Sequence, residues 1–157
     1  MTIAIVTDST ASLSVADAHE LGIHVVPVSV VIGAKVYTEG VDVTSEMITT
    51  ALGSFTPVST SRPSIETFEA VYRSLFTAGA TDIISVHVSG KISGTIDSAK
   101  VAATRVAGAV HVIDSKQVGL ATGYAAGRAA RAAADGRPVD EVIAAVLALT
   151  DGGADYT

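Results

Sequence analysis

The sequence predicts an α/β domain: a layered, largely parallel sheet with helices on both faces and one hairpin near the N-terminus. Three observations predict it. Short apolar runs at Ile3 to Val6, Ile83 to Val86 and Val110 to Ile113 have the length and continuity of strands buried on both faces. Segments with helical period stand between them. Polar clusters follow the runs, at Asp8-Ser9-Thr10, at Ser89 to Thr95 and at Asp114-Ser115, and they belong on one rim because ligands of such folds bind beyond the carboxyl ends of the strands.

Each element has its own signal. After the first strand, Ser14 with Asp17 resembles a capping box and Gly22 stops a short helix. His24 to Ile32 is rich in valine and reads as a strand, with Pro27 at an edge or irregular position. Gly33-Ala34 suits a tight turn that returns Val36-Tyr37 as a hairpin partner. Thr44 to Leu52 reads as a modest helix ending at Gly53. Ser59-Thr60-Ser61-Arg62-Pro63-Ser64 reads as a hydroxyl-rich loop, and Ser64 can cap the helix that follows. In that helix Phe68, Val71, Tyr72, Leu75 and Phe76 form one apolar face, and Gly79 sits where a C′ glycine belongs. A strand over Asp82 to Val88 leads to a second hydroxyl-rich loop, Ser89 to Thr95, and a helix from about Thr95 to Val106. The strand at Val110 is followed by a helix from about Val118 to Ala134, whose Gly119, Gly123 and Gly127 mark tight packing on a sheet. Pro138 opens a last helix running to about Leu149.

The 157 residues suit one domain, with residues 1–150 expected in the fold and 151–157 as a tail. A hydrophobic content of 48% with net charge −6 describes a folded, mildly acidic protein and argues against a nucleic-acid partner. The absence of cysteine removes disulfides, thiolate nucleophiles and Cys-type zinc sites. Stable membrane insertion is not expected: the most apolar stretch, Val118 to Ala134, is interrupted by Arg128 and Arg131. With no basic leader before Ile3, cytoplasmic residence is the default expectation.

The two hydroxyl-rich segments carry the functional signal. A helix N-terminus presents free backbone N–H groups and the positive end of a dipole, and hydroxyls add donors, a combination suited to a carboxylate or phosphate. Capping would occupy Ser64 and Thr95 but leaves Ser59, Thr60, Ser61, Ser89 and Ser93 as surplus hydroxyls. Nucleotide fingerprints of the GxxxxGK[ST] and GxGxxG types do not occur. Ser93, His87 and Asp114 can be drawn as a hydrolase triad, but Gly90-Lys91-Ile92-Ser93-Gly94 lacks the nucleophile-elbow spacing, and a hydrogen-bonded structural role is expected for His87. His19, His24, His87 and His111 have no metal-ligand spacing, so neither a metal nor a cofactor is expected. Asp8 and Asp114 follow apolar strands and are expected to support the rim or to close Asx-type turns.

Taken in order, these motifs resemble the DegV family, bacterial proteins that bind fatty acids. The resemblance runs through Ile5-Val6-Thr7-Asp8-Ser9-Thr10-Ala11, Gly22-Ile23 before Val25-Val26-Pro27, and Thr60-Ser61-Arg62-Pro63-Ser64 against the family's T-S-Q-P-S. It continues through Ser89 to Thr95 with Ser98-Ala99, Val112-Ile113-Asp114-Ser115-Lys116, and Gly123 in a glycine-rich helix. Arg62 replaces the usual glutamine, Ile96 a common aromatic and Gly119 a common serine. The resemblance implies a DegV-type first domain, with the family's second domain absent from these 157 residues.

By that resemblance the protein is a lipid-binding carrier and not an enzyme. It would hold a long-chain fatty acid and present the carboxylate to a separate fatty acid kinase, for phospholipid synthesis. Thr60 and Ser93 would hydrogen-bond the carboxylate. Ser61, Gly94 and Thr95 would shape the loops around it, with Asp8 and Ser9 in support. Hydrogen bonds to a charged group contribute about 1.5–3 kcal/mol each, so two hydroxyls orient the head group. Burial of the acyl chain, at roughly 0.8 kcal/mol per CH₂, supplies most of the gross affinity. The alternative reading is a phosphotransferase-like enzyme domain that binds a small phosphorylated substrate through the same loops.

Overall fold

The computed structural model describes residues 2–38, 45–54, 58–91 and 93–151. Its main sheet has four strands in the order β2-β1-β6-β7, from β1 (Ile3–Asp8), β2 (Ile23–Val26), β6 (Asp82–His87) and β7 (Ala109–Asp114). All three pairings are parallel, with Ile5 opposite both Ile23 and Ile84, and His87 opposite Asp114. A second, antiparallel sheet in the order β4-β3-β5 holds β3 (Ser29–Ile32), β4 (Lys35–Thr38) and β5 (Val58–Ser61).

Helices cover both faces of the parallel sheet, as the apolar runs require. Alternate residues of each strand point to opposite sides. Ile5, Ile84, Val86 and Ile113 pack with α5 (Leu120–Ala134) and α6 (Val139–Asp151), and Leu13 just before α1 (Val15–Leu21) and Leu21 at its end join them. Val6 and Ile83 face the other way, onto Phe68, Tyr72 and Leu75 of α3 (Ile65–Thr77) and onto Ala99 and Ala102 of α4 (Thr95–Thr104). Chain order places β2 on one side of β1 and β6 on the other, so the connections reverse direction between β1 and β6. That reversal is the switch point at which open α/β sheets bind ligands.

The caps of α1 and α3 lie where the residues predict. Ser14 Oγ accepts the Asp17 N–H at 3.0 Å, and Ser64 Oγ accepts that of Thr67 at 3.1 Å. Gly22 closes α1 with φ of 69°, and Gly33 opens the two-residue hairpin turn with φ of 62°. The remaining helix, α2 (Ser45–Gly53), matches the expected span within a residue.

Two expectations need correction. His24 to Ile32 is not one strand: the chain breaks at Pro27-Val28 into β2 and β3, which belong to different sheets. Pro27 has no N–H to offer a ladder, and the Val28 N–H is taken by Ser9 Oγ at 2.9 Å, which pulls the chain out of the parallel sheet. The first hydroxyl-rich segment is likewise not all loop. Val58–Ser61 forms β5 against β3, with Thr60 opposite Val30 and Ser61 opposite Ser29. The expected hairpin is thus part of a three-stranded sheet. Residues 152–157, most of the expected tail, lie outside the described residues.

The glycines of α5 differ in purpose. A Cβ on Gly123 would lie 2.5 Å from the Ala11 carbonyl oxygen, in the 3-10 turn after β1, whereas one on Gly127 would make ordinary contacts with Leu21 Cδ1 at 3.7 Å and Arg131 Nη1 at 3.8 Å. The tightest approach is therefore to that turn, not to the sheet, and Gly119 precedes the helix with φ of 55°. In urea unfolding, Gly123→Ala should destabilise by about 1–3 kcal/mol through overpacking. Gly127→Ala should stabilise by up to about 1 kcal/mol through helix propensity.

Candidate functional site

The carboxyl ends of β1, β6 and β7 meet on one rim, as expected. Backbone bonds tie their loops: the Ser115 N–H donates to His87 O at 3.0 Å and the Ser89 N–H to Gln117 O at 2.9 Å. Asp114 closes two turns at once, accepting from Gly90 N at 3.2 Å and Lys116 N at 2.8 Å. Behind it, the Ser115 hydroxyl accepts the Gln117 N–H at 3.1 Å and meets Thr122 Oγ1 at 3.2 Å, which seats the start of α5.

Beneath the rim, a buried relay spans the switch point. Asp8 and His87, both with fully buried side chains, pair at 2.8 Å between Oδ2 and Nδ1. The other Asp8 oxygen accepts both the N–H and the hydroxyl of Thr10, the Asx-type turn foreseen for it. On the far side, His87 Nε2 meets Ser85 Oγ, and the Tyr72 hydroxyl donates to that same oxygen at 2.8 Å. The carboxylate accepts from Nδ1–H and Ser85 Oγ accepts from Tyr72, and the Ser85–Nε2 contact completes the chain with either atom as donor. The ring edge of Phe68, with centroids 5.1 Å apart, closes the pocket around the imidazole.

Charge follows this geometry. Burial alone would raise the Asp8 carboxyl, but the hydrogen bond and field of His87 and the two bonds from Thr10 outweigh it and hold the group below 3.8. Burial pushes the Tyr72 phenol up to about 12, against a smaller opposing effect of the Ser85 bond, so it remains a donor. His87 and Asp114 are therefore engaged elsewhere, and the triad that could be drawn with Ser93 is not assembled.

Ser93, Gly94 and Thr95 form the start of α4. Gly94, not Thr95, is the N-cap residue, and Thr95 is the first residue of the helix. Ser93 Oγ accepts the Thr95 N–H at 3.2 Å and lies 2.8 Å from Thr95 Oγ1. Thr95 is fully buried while Ser93 is half-buried. If the buried Thr95 hydroxyl donates inward to Ser93, both lone pairs of the Ser93 oxygen are filled. Its own proton then points to whatever stands on the rim. Thr60 and Ser61 are described in β5 by their backbone alone. Asp8 and Ser9 stand behind the rim, with Asp8 buried and Ser9 holding the Val28 N–H. Among the described residues no cluster of His, Asp or Glu could hold a metal ion, and no helix is long and apolar enough to cross a membrane.

The relay was missed from sequence, although it left a trace. Ser85 and His87 are two apart in an otherwise apolar strand, so they share a face, and Tyr72 was placed on the apolar face of α3. In acid, the Asp8 pair has a defined sign. Its contribution is complete above about pH 3.8 and is lost as pH falls through the lower folded value. Asp8→Asn should therefore flatten the acid limb of a stability–pH curve below that point and cost about 1–3 kcal/mol at neutral pH, both read by urea unfolding.

Comparison with known proteins agrees with this architecture. The family model described as "Uncharacterised protein, DegV family" matches residues 2–152. A DegV domain-containing protein of Streptomyces coelicolor is 39% identical over 154 residues, covering 98% of this chain and 55% of the relative. The structure described as fatty acid binding of a DegV family protein from Thermus thermophilus superposes with a TM-score of 0.86 at 34% identity, over 96% of this chain and 54% of that one. DegV from Bacillus subtilis, described as a fatty acid binding protein, gives 0.87 at 30% identity over the same shares. The chain spans about half the length of these relatives. From the strand-end motifs through the glycine-bearing α5, the chain belongs to the DegV family.

Proposed function

We propose that this chain binds a long-chain fatty acid and does no chemistry on it. In this reading Ser93 and Thr60 hydrogen-bond the carboxylate, and Ser61, Gly94 and Thr95 shape the loops around it. The acid is then offered, in the cytoplasm, to a separate fatty acid kinase that phosphorylates it for phospholipid synthesis. The observation that carries the reading is the Ser93 hydroxyl. Its oxygen accepts the Thr95 N–H at the N-terminus of α4 and lies 2.8 Å from Thr95 Oγ1, in a family whose solved members from Thermus and Bacillus are described as binding fatty acids.

The chemistry suits a carrier. Two hydroxyls orient a carboxylate while leaving it lone pairs with which to attack a phosphoryl donor. Because the relatives are nearly twice as long, we assign residues 1–150 to the first of two domains and the remaining contacts with the acid to the second.

Native mass spectrometry of protein purified without delipidation should show a bound long-chain fatty acid. Two hydrogen bonds to a carboxylate at about 1.5 kcal/mol or more each mean that Thr60→Ala with Ser93→Ala should weaken binding roughly 100-fold or more. Protein that carries no lipid and shows no saturable uptake of palmitate would overturn the reading.

A further inference from the structure

Arg62 follows β5 directly and reaches the start of α4. Its Nη1 donates to the Gly94 carbonyl at 3.4 Å. A Cβ built on Gly94 would fall 2.5 Å from Nη1 and 3.0 Å from Cδ, so the arginine packs directly against the Gly94 backbone. The same side chain walls a cleft of about 310 Å³ shared with Val31 of β3, Pro63 and Ile65 at the start of α3, and Ser98 of α4.

Two features of this exposed placement leave its charge unmatched within the fold. Arg62 has no carboxylate within ion-pair distance among the described residues, whereas Arg73 and Arg105 both engage Glu69. Its charge also sits on the N-cap residue of α4, the positive end of that helix, where a cation is repelled and an anion attracted. Asp97, the acid in the first turn of α4, does not pair with it. An anion held between the guanidinium and the helix N-terminus relieves both.

The geometry points to Arg62 as the specificity-determining residue of the proposed fatty-acid site. It supplies the fixed positive charge that selects an ionised head group, while Val31, Pro63 and Ile65 line the adjoining space for the first carbons of the chain. The inference rests on the fatty-acid reading and deepens it. Ser93 and Thr60 carry no charge, so their preference for an acid over an alcohol is limited to the stronger hydrogen bonds that a carboxylate accepts. Arg62 discriminates between the two.

The test compares palmitate with hexadecanol, each displacing a fluorescent fatty acid from the chain. The proteins are the unsubstituted chain, Arg62→Gln, Arg62→Lys, and Arg73→Gln as a control for net charge. Arg62→Gln should weaken palmitate about tenfold, the low end for a charge-assisted bond because the guanidinium is exposed, with hexadecanol unchanged. Arg62→Lys should keep part of the preference, since it retains the charge without the fork. Arg73→Gln should keep all of it. The preference of the unsubstituted chain should also shrink with added salt. If palmitate and hexadecanol weaken together in Arg62→Gln, the arginine only braces the Gly94 loop. If neither weakens, it does not reach the head group. Either result overturns the inference and leaves the fatty-acid reading standing. Failure of the unsubstituted chain to bind palmitate at all would remove both.

Discussion

The buried pair between Asp8 and His87 is the contact on which the rest depends. A parallel sheet that reverses its connections leaves a crevice between the two strands at the reversal, here β1 and β6. In this protein the crevice is filled from below by a carboxylate and an imidazole, each hydrogen-bonded on both sides. Unpaired, either group would carry a large desolvation cost. Joined through Ser85 and Tyr72, they form a polar seam that also reaches α3. The seam sets the depth of the site. Because it occupies the floor, a ligand is left to the rim above, where the loops after β6 and β7 are tied together by backbone bonds.

That division of labour explains why so many polar residues gather at one end of the sheet. Some are structural: Asp8 holds Thr10, Ser9 holds Val28, Asp114 holds Gly90 and Lys116, and Ser115 holds Gln117. Each satisfies a backbone donor where the chain leaves regular structure, as buried or half-buried turns require. Ser93 and Arg62 differ from these. Ser93 makes its contacts with Thr95 of its own helix start, and Arg62 brings a charge to Gly94 with no carboxylate paired to it among the described residues. Counting which donors and acceptors the fold itself has used separates the residues that finish the fold from those proposed for a ligand.

Much of the fold was legible in the sequence because its signals are local. Ser14 and Ser64 cap their helices through atoms three residues away, Gly22 takes the left-handed turn that stops α1, and the apolar faces of α3 and β6 follow from period alone. The rim was legible for a related reason: polar clusters that directly follow parallel strands must lie at the same edge of the sheet. Thr95 was read one position too far into the cap, since several hydroxyls in a row compete for one helix start and only the backbone path decides which residue serves.

The sequence by itself determined the elements, the two faces they bury and the end of the sheet where polar chemistry collects, because these depend on neighbours within a turn or along one strand. Tertiary structure alone decided the pairing of Asp8 with His87 across 79 positions. It also decided the splitting of His24 to Ile32 at Val28, through a serine 19 residues earlier. The conversion of Val58–Ser61 from an apparent loop into a strand has the same origin. A short polar segment pairs when an edge is free beside it, and no residue within it records where β3 will be.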